Sequence, residues 1–372
     1  MNNESPSRPI PAPDVAAESA ARARQSQLTK PPGSLGRLED LACWLAGRLG
    51  QPVPDMPHCE VVVFAGDHGV AAQGVSAFPQ AVTGQMVANF AAGGAAINVL
   101  TKLHDCRIEV VDVGVATDAA PPSGVRNERV RAGTRDLSAM AAMTAEDTRK
   151  ALDVGGQCAR RAVDRGARLL IAGDMGIANT TAAACLICAL TGSEPARIVG
   201  RGTGVDEPGL KHKIAVVQAA LNRVAAARPG RSLLDVARSS ADGEPRAQAA
   251  FEILSELGGL EIAAIAGYYL EAARLGVPML VDGYISTSAA LTAVRLAPAS
   301  LEWMQAGHRS AEAGHRVALE ALGLVPLLDL DMRLGEGTGA ALALPIVRAA
   351  LALHRNMATF AEAGVSEKSA PA

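Results

Sequence analysis

Leu334-Gly335-Glu336-Gly337-Thr338-Gly339 sets one carboxylate among three glycines, after the apolar run Val325 to Leu330. Glycine permits positive φ and close approach of a ligand to the main chain, so Glu336 reads as a group presented to a ligand, suited to proton transfer. Two other stretches have the composition of anion sites. Gly173-Asp174-Met175-Gly176-Ile177-Ala178-Asn179-Thr180-Thr181 opens an apolar helix, where free N–H groups and the helix dipole favour negative charge. Asn179, Thr180 and Thr181 add donors; capping by Asn179 or Thr180 would explain one polar residue but not the preceding glycines. The phosphate-loop pattern GxxxxGK followed by Ser or Thr is absent, so a phosphate bound here is expected to be a monophosphate. Gly200-Arg201-Gly202-Thr203-Gly204 leads into a helix whose first turns carry Lys211, His212 and Lys213. Cations are poorly placed for a helix start unless they face an anion. A solvated basic face explains any single lysine equally well; Lys213, beside the glycine turn, is the preferred phosphate ligand.

Phe78, Gln85 and Met86 offer a flat, polarisable wall with an amide beside it, which suits an aromatic base carrying ring nitrogens. Core packing is the competing reading for Met86, less so for Gln85, which would need buried partners. Asp67-His68 is at most half a metal site, since no further ligand stands at suitable spacing. Hydrogen bonds that shape the loop are the reading preferred for this pair, and no metal or cofactor is expected. Cys185 and Cys188 form a CxxC inside an apolar helical run without a second pair, and with the other four cysteines read as reduced core thiols.

Something must position these groups. Short β-branched runs recur ahead of glycine and helical periodicity: Val61 to Phe64, Ile108 to Val111, Leu169 to Ile171, Ile198-Val199, Met279 to Val281 and Val325 to Leu330. That is the pattern of βα units in a mainly parallel, roughly six-stranded sheet flanked by helices, with ligands at the carboxyl ends of the strands. The large α/β domain is expected over 58–339, with a small helical cap built from 14–50 and 340–372 and a disordered tail over 1–13. Segments 118–136 and 237–246 read as surface loops. The 372 residues, 49% apolar with a net charge of -3 and only 3% aromatic, argue against a nucleic-acid partner. No secretory signal and no membrane span are read in the chain, so a cytoplasmic enzyme is expected.

The ordered set of these segments resembles the nicotinate-nucleotide:dimethylbenzimidazole phosphoribosyltransferases of cobalamin assembly. It comprises residues 30–39, 64–70, 79–86, 93–98, 173–181, 200–213, Asp282-Gly283-Tyr284-Ile285-Ser286-Thr287, and 333–341. The resemblance implies transfer of the phosphoribosyl group from β-nicotinate mononucleotide to 5,6-dimethylbenzimidazole with inversion, small-molecule substrates only, and a homodimer. It also implies that Glu336 is catalytic, with Asp174 beside it. Gly176, Asn179, Thr180, Gly202, Thr203, Gly204, Lys213, Ser286, Phe78, Gln85, Met86 and Leu334 are then the substrate-binding positions. The chain departs from the family pattern at Asp174, where the family has Glu, and at Ala178, where it has Gly. A nucleoside hydrolase in which Glu336 activates water, and a non-catalytic nucleotide sensor, are the rival readings.

Overall fold

The computed structural model describes residues 8–117, 119–227, 233–239 and 243–366. Six parallel strands form one sheet in the order β3-β2-β1-β4-β5-β6: β1 Cys59–Gly66, β2 Arg107–Gly114, β3 Val125–Asn127, β4 Leu169–Met175, β5 Met279–Val281 and β6 Met304–Ala306. The strand order reverses between β1 and β4, which opens a crevice at their carboxyl ends.

Every residue of β1 is buried, as a parallel strand covered on both faces requires. The period-two alternation sorts its side chains cleanly. Val62 and Phe64, with Leu170 and Ala172 of β4, enter the larger core under the helices Ala145–Asp164, Leu260–Arg274 and Tyr284–Leu296. Val61 and Val63, with Leu169 and Ile171, face the helices Arg37–Leu49 and Thr338–Asn356. The helices Ala145–Asp164 and Leu260–Arg274 touch backbone to backbone: a Cβ at Gly155 would fall 1.8 Å from the Ala264 oxygen.

Both termini meet on the second face. Helix Val15–Gln27 packs on Arg37–Leu49, which packs on Thr338–Asn356. Gln25 bonds to His354 Nδ1 at 2.8 Å, and Arg24 donates to the His354 and Met357 carbonyls. Of the tail expected over 1–13, residues 1–7 lie outside the described residues. Within the rest of it, Ile10 packs against the core and Trp303 Nε1 donates to the Pro11 oxygen at 3.1 Å.

Several sequence expectations are corrected. Ile198-Val199 is no strand: Pro195, pre-set for a first helical position, starts the turn Pro195–Ile198. The run Val325 to Leu330 stays out of the main sheet, because Pro326 has no N–H to donate. Only β8, Leu328–Asp329, pairs, with β7, His308–Arg309, and Val325 and Leu330 are exposed. The loop 118–136 contributes β3, and 237–246 holds the end of helix Leu233–Arg238 and the start of Glu244–Leu257. Residues 82–103 have the length and hydropathy of a membrane span, where none was expected, but form two helices, Val82–Ala92 and Ala96–Leu103, parted at Gly93.

Candidate active site

A cavity of about 260 Å³ opens at the carboxyl ends of β4 and β5. Its wall includes Phe78, Asp174, Gly176, Asn179, Thr180, Gly202, Thr203 and Leu334, which draws two glycine-rich loops and the approach to Glu336 into one place. Two positions 131 residues apart meet here: Arg333 Nη1 donates to the Gly202 oxygen at 3.0 Å. Thr203 Oγ1 accepts from the Ala77 N–H at 3.1 Å, tying the loop that carries Phe78 to the glycine turn.

The phosphate-type donors are assembled by the helix Asn179–Thr191. Its N-cap is Ala178, at φ 72 in the left-handed region that glycine occupies freely. Lys213, buried in helix Glu207–Ala226, reaches across so that Nζ donates to Thr180 Oγ1 at 2.6 Å. Burial pulls its pKa down to about 8, against the opposing pull of Glu312. Lys213 does not itself form the cavity wall; it backs Thr180, which does.

Asp174, next to last in β4, lies on the cavity wall. It is buried and accepts from Asn179 Nδ2 at 2.9 Å. Burial, with the neighbouring charge of Asp282 adding to it, raises its pKa well above the carboxylate norm. Glu336 stands one step behind. Its N–H donates to the Asp174 oxygen at 3.3 Å, its φ is 62, and its side chain turns so that Oε2 accepts from the Ile97 N–H at 3.3 Å, at the start of helix Ala96–Leu103. Burial raises the Glu336 pKa while the Ile97 N–H opposes that rise. Asp282 fixes the loop from below: its two oxygens accept from the Gly337 N–H at 3.2 Å and the Ala340 N–H at 2.9 Å. A Cβ at Gly173 would lie 2.2 Å from the Glu336 oxygen, so only glycine lets β4 and this loop touch.

Other expected positions lie elsewhere. Gln85 lines a separate cavity of about 690 Å³ with Asp112 and Arg129. Met86, partly buried, packs against the core on the second face of the sheet, as does Met175, and Ser286 is fully buried, donating to the Ala172 oxygen at 2.9 Å. Gly204 turns the chain by donating to the Arg201 oxygen, off the cavity wall. Asp67 Oδ2 accepts from the Ala116 N–H at 2.8 Å and His68 Nε2 meets Glu261 Oε1 at 2.6 Å. No third His, Cys, Asp or Glu among the described residues completes a ligand set with them. Cys185 and Cys188 are buried free thiols with raised pKa, burial being the main cause. Three polar residues on the wall escaped the sequence reading: His308, Ser310 and Glu312. The signal was the polar cluster 308–312 directly ahead of a helix.

The phosphoribosyltransferase family matches residues 10–365. A nicotinate-nucleotide–dimethylbenzimidazole phosphoribosyltransferase of Chromobacterium violaceum is 56% identical, over 96% of this chain and 98% of that protein. One from Mycobacterium avium is 53% identical, over 96% and 97%. The crystal structure of such an enzyme from Thermus thermophilus superposes with a TM-score of 0.85 at 48% identity, covering 95% of this chain and all of that one.

Proposed function

The chain belongs to the nicotinate-nucleotide–dimethylbenzimidazole phosphoribosyltransferase family, and from that premise we propose which of its residues carry the reaction. The reaction transfers the phosphoribosyl group of β-nicotinate mononucleotide to 5,6-dimethylbenzimidazole, giving α-ribazole 5'-phosphate and nicotinate. The bond from C1' to the pyridinium nitrogen breaks, and its electron pair stays with that nitrogen. The leaving ring becomes neutral and needs no acid. One nitrogen of the entering benzimidazole attacks C1' from the opposite face, which inverts the anomeric centre, and its other nitrogen must lose a proton.

Glu336 is the base for that proton. The observation that carries this assignment is a buried carboxylate held at positive φ by Asp282, Gly173 and Ile97, with a raised pKa that strengthens it as a base. Asp174, on the cavity wall, orients Asn179 and, with its pKa also raised, serves as the second carboxyl of the site. The phosphate lies against Gly176, Asn179, Thr180 and the Gly202-Thr203 turn, with Lys213 supplying the charge. Phe78 and Leu334, both more than half exposed on the rim, form the base-binding end. The protein works as a cytoplasmic homodimer in this reading. The exposed Val99 and Leu103 of helix Ala96–Leu103 supply apolar surface for such contact.

Lys213 gives the test of the phosphate assignment. Its charge is present below a pKa of about 8 and is lost above it, so nucleotide affinity should weaken as pH rises through that value. Lys213→Ala should raise KM for the nucleotide ~10- to 100-fold, the loss of one charge-assisted hydrogen bond of about 1.5 to 3 kcal/mol, and flatten this pH dependence. Unchanged nucleotide KM in steady-state kinetics would remove Lys213 from the site.

A further inference from the structure

Glu312 lies between β7 and the helix His315–Leu322, on the wall of the same cavity, and is 8% exposed. Its main chain is pinned, the N–H donating to Ser310 Oγ at 3.3 Å. Its Oε2 has no hydrogen-bond donor among the described residues. That oxygen rests against the glycine turn, where a Cβ at Gly200 would fall 2.1 Å from it. Burying a carboxylate without donors is costly, and Lys213, a cation its charge acts on, is already bonded to Thr180.

An acidic side chain on the wall of an anion site repels the ligand's phosphate. Its presence there makes sense only where the ligand also offers hydroxyl donors. Asn179, Thr180 and Gly202, the Leu334-Gly335 approach to Glu336, and Ser310 and Glu312 all line this one cavity. A ribose 5-phosphate held by the first group, with C1' toward Glu336, would have its ring hydroxyls within the same walls as the Glu312 carboxylate. Carboxylates accept short, charge-assisted bonds from hydroxyls.

We propose that Glu312 accepts hydrogen bonds from the 2'- and 3'-hydroxyls of the ribosyl donor, making the site selective for ribonucleotides over 2'-deoxyribonucleotides. This rests on the phosphoribosyl reading above. The role differs from that of a counter-ion to Lys213, which would not distinguish the two sugars.

The test compares nicotinate mononucleotide with its 2'-deoxy analogue, by equilibrium binding and by turnover with dimethylbenzimidazole, in the native protein, Glu312→Gln and Glu312→Ala. The native protein should favour the ribo donor ~10²- to 10⁴-fold, as sites built around a hydroxyl do. Glu312→Ala should bring that ratio close to one, mainly by weakening the ribo donor. Glu312→Gln, equal in size and with one acceptor retained, should give an intermediate ratio and unchanged thermal unfolding. Equal losses on both donors, or a native ratio near one, would overturn the proposal. Absence of turnover in the native protein would sink the reaction assignment, and the binding ratio would still decide the role of Glu312.

Discussion

Glu336→Gln is expected to lower kcat by ~10² to 10⁴-fold while leaving nucleotide KM almost unchanged, the signature of losing a proton acceptor that acts only in the transition state. The amide keeps the volume of the side chain but cannot take the benzimidazole proton. The pH profile carries the same information. A base must be ionised, and burial places the folded-state pKa of Glu336 above 4.5, so kcat should fall as pH drops through that raised value. The stability effect runs in the opposite direction. Because the folded state holds the proton more tightly than the unfolded chain does, the carboxylate favours folding when protonated, and that contribution is lost as pH rises through the folded pKa. Glu336→Gln should therefore unfold at a temperature equal to or above that of the native protein at pH 7, so lost activity could not be assigned to lost structure. Near-native turnover would remove Glu336 from the chemistry.

Gly173→Ala should be nearly as damaging, although it adds one methyl group. The added Cβ would sit 2.2 Å from the Glu336 oxygen and 2.7 Å from the Gly337 nitrogen, both backbone atoms that cannot swing aside. Something must shift, at a cost of about 1 to 3 kcal/mol for such overpacking. The group displaced is the loop that aims Glu336. Turnover should fall at least 10²-fold, on the scale of catalytic misplacement by about 1 Å, with the thermal midpoint also lowered. A variant with native activity would show that Glu336 does not depend on contact with β4.

The strands that were legible share one property. Val61 to Phe64 and Leu169 to Ile171 lie in the middle of the sheet with both faces covered, so their sequences are uninterrupted apolar runs. The edge strands β3 and β6, Val125–Asn127 and Met304–Ala306, are three residues each and lack the unbroken apolar run that makes the equally short β5 legible. The run Val325 to Leu330 misled because hydrophobicity was read without weighing Pro326. Glu336 stands out in the sequence because glycines surround it, and the stretch proposed to hold phosphate because Gly173 and Gly176 precede a helix. Gln85 and Met86 are adjacent in sequence but about 100° apart around a helix, so Gln85 faces the cavity of Asp112 and Arg129 while Met86 packs against the core. His308 lies on the cavity wall within the small β7-β8 pairing, a contact between segments 20 residues apart that local pattern does not encode.

The central claim is transfer to a base with inversion, with Glu336 taking the proton of that base. Its most direct test is to incubate the native protein with β-nicotinate mononucleotide, with and without 5,6-dimethylbenzimidazole, and determine the anomeric configuration of the ribosyl product by NMR. The account predicts that nicotinate is released only when the base is present, together with α-ribazole 5'-phosphate. Release of nicotinate and free ribose 5-phosphate without the base, or a β-configured product, would contradict it.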